Sequence, residues 1–152
     1  MTLIQAVNEA DNLKPNMYGL PEKIKWLSRL DRRIFEDVLL THELSEEEKA
    51  PFHPEEPRVY ADPGGAWRTR PFRPEEILEF NGYTEEDQDK ELIVKEPYDE
   101  IYVHWLSAQI DWNNREFTGF NASNAIFEST YLAFRDAFNR THMPKGWRKN
   151  YF

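Results

Sequence analysis

Proline divides this chain of 152 residues into a middle that cannot form one helix and two flanks that can. Eight of its ten prolines fall between Pro15 and Pro74, and five of these lie between Pro51 and Pro71. A proline inside a helix removes a backbone donor and clashes with the preceding turn, so a long helix through residues 51–71 is excluded. Apolar residues recur at helical spacing only on either side of it. We therefore predict helical flanks around an irregular centre.

Two helices are predicted before residue 45. The first follows from apolar residues at helical spacing behind Thr2, a typical N-cap, and covers residues 2–13. The second starts at Pro21, a residue that suits a first helical turn, and ends near His42. Its apolar stripe has spacings of three and four, at Ile24, Leu27, Leu30 or Asp31, Ile34 and Val38.

Two more helices are predicted after Pro97. The third carries apolar residues around most of its circumference, so we expect it to be buried and central. After a break around residues 117–119, the fourth carries aromatic residues at helical spacing and stops before Pro144. The stripes are Ile101, Trp105, Ala108 and Trp112 in the third helix, and Phe120, Phe127, Tyr131, Phe134 and Phe138 in the fourth.

A Pro-rich insertion is predicted between these pairs of helices. Residues 58–61 and 91–95 have strand composition, and we expect them to pair as a small β-hairpin or ribbon. Pro74 opens a predicted helical turn through Phe80. The predicted fold is thus mainly α, in a single domain 1–152 with a four-helix core at 1–44 and 97–143, the insertion at 45–96 and a C-terminal tail at 144–152.

Charge is segregated along the chain. Nineteen basic and 28 acidic residues give a net charge of −9, and 18 of the acids fall in residues 41–100. Such acidity argues against the phosphate backbone of nucleic acid as the main partner. Dense acidic stretches are usually solvated loops, and a basic partner surface is the alternative.

The C-terminal end reverses this pattern, with four bases, three aromatic residues and no acid in the last thirteen positions. Such a segment can dock on an acidic surface, including that of a neighbouring copy. The candidate docking residues are Arg140, His142, Lys145, Trp147, Arg148, Lys149, Tyr151 and Phe152. A second group, Trp67, Phe72, Phe80 and Tyr83, lies in the polar insertion. These aromatic side chains either cover one end of the helical bundle or contact another chain.

Catalytic and metal-binding patterns are missing from the sequence. The chain has no cysteine, and its four histidines do not have the spacing of metal ligands. Gly64 and Gly65 lack the Lys-Ser or Lys-Thr of a phosphate-binding loop, and no Gly-x-Ser-x-Gly occurs. No apolar run approaches the roughly 18 residues that span a bilayer. We therefore expect a soluble protein made in the cytoplasm, with no enzymatic activity, no cofactor and no membrane partner.

Several stretches together resemble the head-tail connector proteins of tailed bacteriophages and prophages. The similarity covers residues 1–45 and 80–146, whereas residues 52–80 extend beyond the compact family pattern. It is carried by the order helix, helix, insertion, helix, helix, and by residues 22–31 (EKIKWLSRLD), 41–43 (THE), 91–94 (ELIV), 97–102 (PYDEIY) and 138–144 (FNRTHMP).

The resemblance implies a structural virion protein of the neck region, assembled in the host cytoplasm. Such an adaptor joins the portal protein as a ring of twelve copies, continues the DNA channel without sequence-specific binding, and provides the platform for the next neck or tail component. An acidic protein that mimics nucleic acid and inhibits a basic partner is the alternative, and an enzyme is the least favoured class.

Overall fold

The computed structural model describes residues 1–54, 59–69 and 78–146, and most of these are helical. The predicted mainly α class is confirmed. The described residues form two compact units. The helical unit comprises Met1–Glu43 and the described residues from Gly82 onward, and the ribbon unit comprises those of Leu44–Asn81.

Helix α1, Leu3–Leu13, begins with the predicted cap. The Thr2 hydroxyl accepts from the Gln5 backbone N–H at 3.3 Å, and the Gln5 side chain accepts from the Thr2 N–H at 2.9 Å. This reciprocal pair satisfies two donors that a helix start leaves free. Leu3, Ala6, Val7 and Ala10 form its buried face.

Helix α2, Leu20–Ile34, continues into a π-helical turn at Phe35–Leu39. Its start at Pro21 agrees with the prediction, but one regular helix to His42 is wrong. The wider turn, in which the Leu40 N–H donates to the Phe35 carbonyl at 2.9 Å, allows Phe35, Val38 and Leu39 all to be buried.

Helices α4, Ile101–Asn113, and α5, Phe117–Thr141, form a hairpin. As predicted, α4 is buried around most of its circumference, and it packs against α1, α2 and α5. The break falls at residues 114–116, before the expected position, because Arg115 adopts a left-handed backbone with φ of 58° that reverses the chain. Only one side of α5 is buried.

Residues 82–96, which were assigned to the insertion, belong to the helical unit. Leu92 and Val94 lie in its core, and the Leu92 N–H donates to the Met1 carbonyl at 3.1 Å. Glu91 forms an antiparallel bridge with Thr2. The expected pairing of residues 91–95 with 58–61 is therefore wrong, because this segment is hydrogen-bonded to the start of the chain.

The ribbon unit contains the short helix α3, Glu46–Lys49, and an antiparallel pair of strands, β1 at Val59–Ala61 and β2 at Trp67–Thr69. Tyr60 lies opposite Arg68. The Asp62 carboxylate accepts from the N–H groups of Gly64 and Ala66 at 3.0 and 2.9 Å and so holds the connecting turn. The predicted helical turn from Pro74 begins outside the described residues.

Candidate interaction surfaces

The chain that follows α5 is fixed to the end of the second helix. The Glu43 N–H donates to the Met143 carbonyl at 2.7 Å, and the Lys145 N–H donates to the Thr41 carbonyl at 3.0 Å. Between them, His42 and Pro144 form an antiparallel bridge. Residues 142–145 are therefore held by main-chain hydrogen bonds to Thr41–Glu43.

The His42 side chain reinforces this junction. Its Nδ1 lies 2.7 Å from the Val38 carbonyl oxygen, and its Nε2 lies 2.7 Å from the side-chain oxygen of Asn139. The edge of its ring meets Phe138, whose other contacts include the ring of His142, stacked at a centroid distance of 3.8 Å. Sequence reasoning gave the His42 side chain no partner in the fold, because Asn139 on α5 is 97 residues away.

The structure places three of the candidate docking residues. Arg140 and Lys145 are exposed, and His142 is half-buried by its stacking on Phe138. Arg140 and His142 line a shallow surface depression at the end of α5, and Lys145 follows it in the chain. The other five fall outside the described residues: Trp147, Arg148, Lys149, Tyr151 and Phe152.

The structure describes three of the four aromatic residues named for the insertion. Trp67 is 75% exposed on β2, and Phe80 is half-buried in the ribbon unit. Phe72 lies outside the described residues. Tyr83 belongs to the helical unit, where it is buried and its hydroxyl donates to Asp31. Of the two roles expected for these residues, Tyr83 has the one inside the fold, so it is not exposed for an inter-subunit contact.

A buried carboxylate lies where α2, α4 and residues 91–94 meet. Asp31 is fully buried and accepts from the Tyr102 hydroxyl at 2.6 Å, from the Tyr83 hydroxyl and from the Ile93 N–H at 3.3 Å. The Tyr102 hydroxyl in turn accepts from the Val94 N–H at 2.7 Å. This cluster fastens the chain after residue 82 to both helices.

The donors around Asp31 are neutral, and this affects its ionisation. Burial raises the pKa of Asp31 to about 6, while the hydrogen bonds from Tyr102, Tyr83 and Ile93 act in the opposite direction. Burial and the adjacent Asp31 carboxylate also raise the pKa of both tyrosines above the ordinary range. The sequence signal was an acid at a position where the apolar stripe of α2 continues, but its partners could not be read from it.

A second buried carboxylate lies where α1, α4 and α5 meet. Lys14 donates to Asp111 and, at 3.0 Å, to the Ser123 hydroxyl, which donates to Asp111 at 2.8 Å. A Cβ atom on Gly119 would lie 3.3 Å from this carboxylate, so glycine allows the close approach of α5. The arrangement is an ion pair with a bridging hydroxyl that joins three helices. Sequence reasoning missed it because these partners are far apart in the chain.

Two groups of exposed charged residues on the helical unit each carry mostly one sign. Lys25, Arg29 and Arg32 lie along one side of α2, whereas residues 85–91 present several exposed acids. The acids are Glu85, Glu86, Asp89 and Glu91. Either group can complement a partner of opposite charge.

Within residues 1–54, 59–69 and 78–146, the structure has no cluster of three or more side chains able to hold a metal ion. Over the same residues, no helix is long and apolar enough to cross a membrane. Comparison of the chain with protein-family models, with curated proteins and with solved structures gives no match.

Proposed function

We propose that this protein is a head-tail connector of a tailed bacteriophage or prophage. In this proposal it is a structural component without enzymatic activity or cofactor, made in the host cytoplasm and placed in the neck of the virion. About twelve copies form a ring on the portal protein, continue its DNA channel and provide the platform for the next neck or tail component. Ring closure requires each copy to present one face to a different face of its neighbour.

The observation that carries the proposal is the fixed base of the basic and aromatic tail. The hydrogen bonds from Glu43 to Met143 and from Lys145 to Thr41 hold the chain just before residue 147. A docking segment loses less conformational freedom on binding when its base is already held in place. Exposed Arg140 and Lys145 extend the positive charge of the tail onto the folded unit.

The proposed architecture is a four-helix core with a central insertion. It is supported by the location of α1, α2, α4 and α5 in the helical unit, whereas α3 and the strand pair lie in the ribbon unit. In a ring, an insertion of this kind is available for contacts with a neighbour or with the next neck component. Exposed Trp67 is the described aromatic residue best suited to that role.

The net charge of −9 also supports the proposal. DNA must slide through a connector channel without adhering to it, and an acidic wall repels the phosphate backbone. The exposed acids of residues 85–91 are candidates for that wall.

The proposal is tested by mixing the purified protein with the portal protein encoded in the same genome. Light scattering and negative-stain images should show a ring added to one end of the portal. A variant that stops after Gly146 keeps the hydrogen bonds to Thr41–Glu43, so it should fold normally and fail to join. A full-length protein that ignores the portal, or a truncated one that joins it normally, contradicts the proposal.

Two charge reversals distinguish binding through the docking surface from binding through the net charge of the protein. Lys145→Glu should weaken portal binding about tenfold or more, because it places an acid at the base of the tail. Lys25→Glu makes the same change in net charge at an exposed position on α2, and this variant should bind the portal as the wild type does. Equal effects of the two substitutions would assign the interaction to overall charge.

An acidic mimic of nucleic acid is the second candidate, supported by the exposed acids Glu85, Glu86, Asp89 and Glu91. Such a protein binds a basic partner one to one and forms no ring. Competition with DNA for the partner, and loss of binding on Glu85→Lys with Glu86→Lys, would favour this function over the connector.

A further inference from the structure

The side of α5 that faces away from the helical unit is nearly free of charge. Ser123, Phe127, Tyr131 and Phe134 define its buried side. The opposite side follows spacings of four and three residues and is exposed throughout: Thr118, Ala122, Ala125, Ser129, Leu132 and Asp136, flanked by Ile126 and Ala133. Over residues 118–133 this face carries no charged residue.

This composition is unusual for a helix face that remains in water. The chain as a whole is 31% charged, yet Ile126 and Leu132 on this face are 50% and 45% exposed. A repeat of four and three residues is the pattern by which one helix packs along another. Small side chains at Ala122, Ala125 and Ser129 permit a close approach of the two axes. The face therefore fits an apolar helix better than a charged partner or nucleic acid.

Two charged residues on one flank of this face indicate which helix occupies it. Glu128 and Arg135 are both exposed and seven residues apart, and neither forms an ion pair with another described residue. In an antiparallel pair of identical helices, each flank meets the same flank of the other helix. Glu128 then lies opposite Arg135 of the second copy, and the reverse contact forms as well.

We propose that the free protein forms a two-fold dimer in which α5 packs antiparallel against α5 of a second copy. In the register set by Glu128 and Arg135, Leu132 packs against its counterpart near the two-fold axis. The same register brings the Ser129 hydroxyl beside Asp136 of the other copy, which gives the charged end of the face a hydrogen-bond donor. A parallel pair would instead place Glu128 and Arg135 against the flank that carries Ile126 and Ala133.

The size of the face determines how tightly the dimer is expected to associate. In this register residues 122–141 of the two copies overlap, and these 20 residues span about 30 Å of helix. Packing two such faces buries roughly 800–1,000 Å² in total, at the low end of specific interfaces. We therefore expect a dissociation constant of the dimer of roughly 10–100 µM. This inference goes beyond the proposed function, because ring closure uses two different faces and this contact uses one face twice. The dimer would be a form of the free protein.

The test uses the free, full-length protein without a portal, so its result is independent of the connector proposal. Sedimentation equilibrium over roughly 1–500 µM should show a monomer–dimer equilibrium. Glu128→Arg or Arg135→Glu alone should raise the dissociation constant at least tenfold, because each places like charges opposite each other. The double exchange should restore it to within about threefold of the wild type.

Two further variants complete the test. Leu132→Lys places two like charges beside the two-fold axis and should abolish the dimer, while Glu9→Lys, at an exposed position on α1, is the control for added positive charge. Circular dichroism confirms that each variant is folded. A protein that stays monomeric, a dimer insensitive to the reversals, no recovery in the double exchange, or a ring-sized assembly of the free protein would each overturn the inference.

Discussion

Asp31 and Asp111 are both buried in the helical unit, but their surroundings differ. Asp31 is surrounded by neutral donors, namely two tyrosine hydroxyls and a backbone N–H. Asp111 is paired with the ammonium of Lys14, which is itself one-third exposed, and with the Ser123 hydroxyl. Burying a carboxylate costs free energy unless its charge or its hydrogen-bonding capacity is matched. The two sites match it in different ways, and their responses to mutation and pH should differ accordingly.

The location of the two sites explains why Asp31 and Asp111 have different kinds of partner. Asp31 lies deep in the unit, beside core residues Leu92 and Val94, and its donors are two buried tyrosine hydroxyls and the Ile93 N–H. Asp111 is near the end of α4, where the lysine stem reaches in from the surface with its amine on the carboxylate. Neutral donors therefore fasten the centre of the unit, and an ion pair fastens its edge.

The largest expected effect is that of Tyr102→Phe. This change keeps the ring but leaves one oxygen of Asp31 without its donor and the Val94 N–H without its acceptor. Two buried polar groups lose their partner, so the free energy of unfolding should fall by about 3–4 kcal/mol. Denaturant unfolding followed by circular dichroism measures it. A loss below about 1 kcal/mol would mean that water or another group replaces the hydroxyl.

The second prediction concerns pH. Because the pKa of Asp31 rises from 3.8 to about 6 on folding, the folded state holds a proton that the unfolded state releases between these values. Asp31 therefore stabilises the protein fully below pH 3.8, and this contribution is lost as the pH rises through 6. The Asp31→Asn variant has no titratable group at this position and serves as the reference. Relative to it, the free energy of unfolding of the wild type should fall by about 2–3 kcal/mol between pH 3.5 and 7. Parallel stability curves for the two proteins would contradict the assignment.

Which features could be predicted from the sequence depends on the range of the interactions. Thr2 and Pro21 mark helix starts through contacts within one turn, and both helices begin where expected. Residues 82–96 were placed in the insertion because their core contacts are made with Met1 and Asp31, which are distant in sequence. The pairing of strand β1 failed for the same reason: a short strand-like segment does not specify its partner.

The candidate surfaces follow the same rule. Arg140 and Lys145 were identified from local charge, and they are exposed as expected for docking residues. The hydrogen bonds that fix their position come from Thr41–Glu43, about 100 residues earlier in the chain. The role of Tyr83 could not be chosen from the sequence because its neighbours in the chain are polar, whereas its partner Asp31 is 52 residues away.

The third prediction concerns the two partners of the ion pair. Lys14→Met leaves the Asp111 carboxylate buried with Ser123 as its remaining donor. The free energy of unfolding should therefore fall by about 2 kcal/mol. Asp111→Asn should cost about 1 kcal/mol, because the amine of partly exposed Lys14 can turn towards water. The double variant should be more stable than Lys14→Met alone. Equal costs for the two single changes would show that the ammonium is as poorly solvated as the carboxylate.

The last prediction compares the loss of one hydroxyl at each site. Ser123→Ala should cost about 0.5–1 kcal/mol, because Asp111 keeps its ammonium partner. Tyr83→Phe should cost about 1.5–2 kcal/mol at neutral pH, because Asp31 has no cation among its hydrogen-bond partners and depends on each neutral donor. The effect of Tyr83→Phe on stability should also become smaller as the pH falls below 6, since a protonated Asp31 accepts weaker hydrogen bonds than the carboxylate does. The Ser123 effect should change less over the same range. If both substitutions cost the same at every pH, then the difference between neutral and charged partners does not govern these two sites.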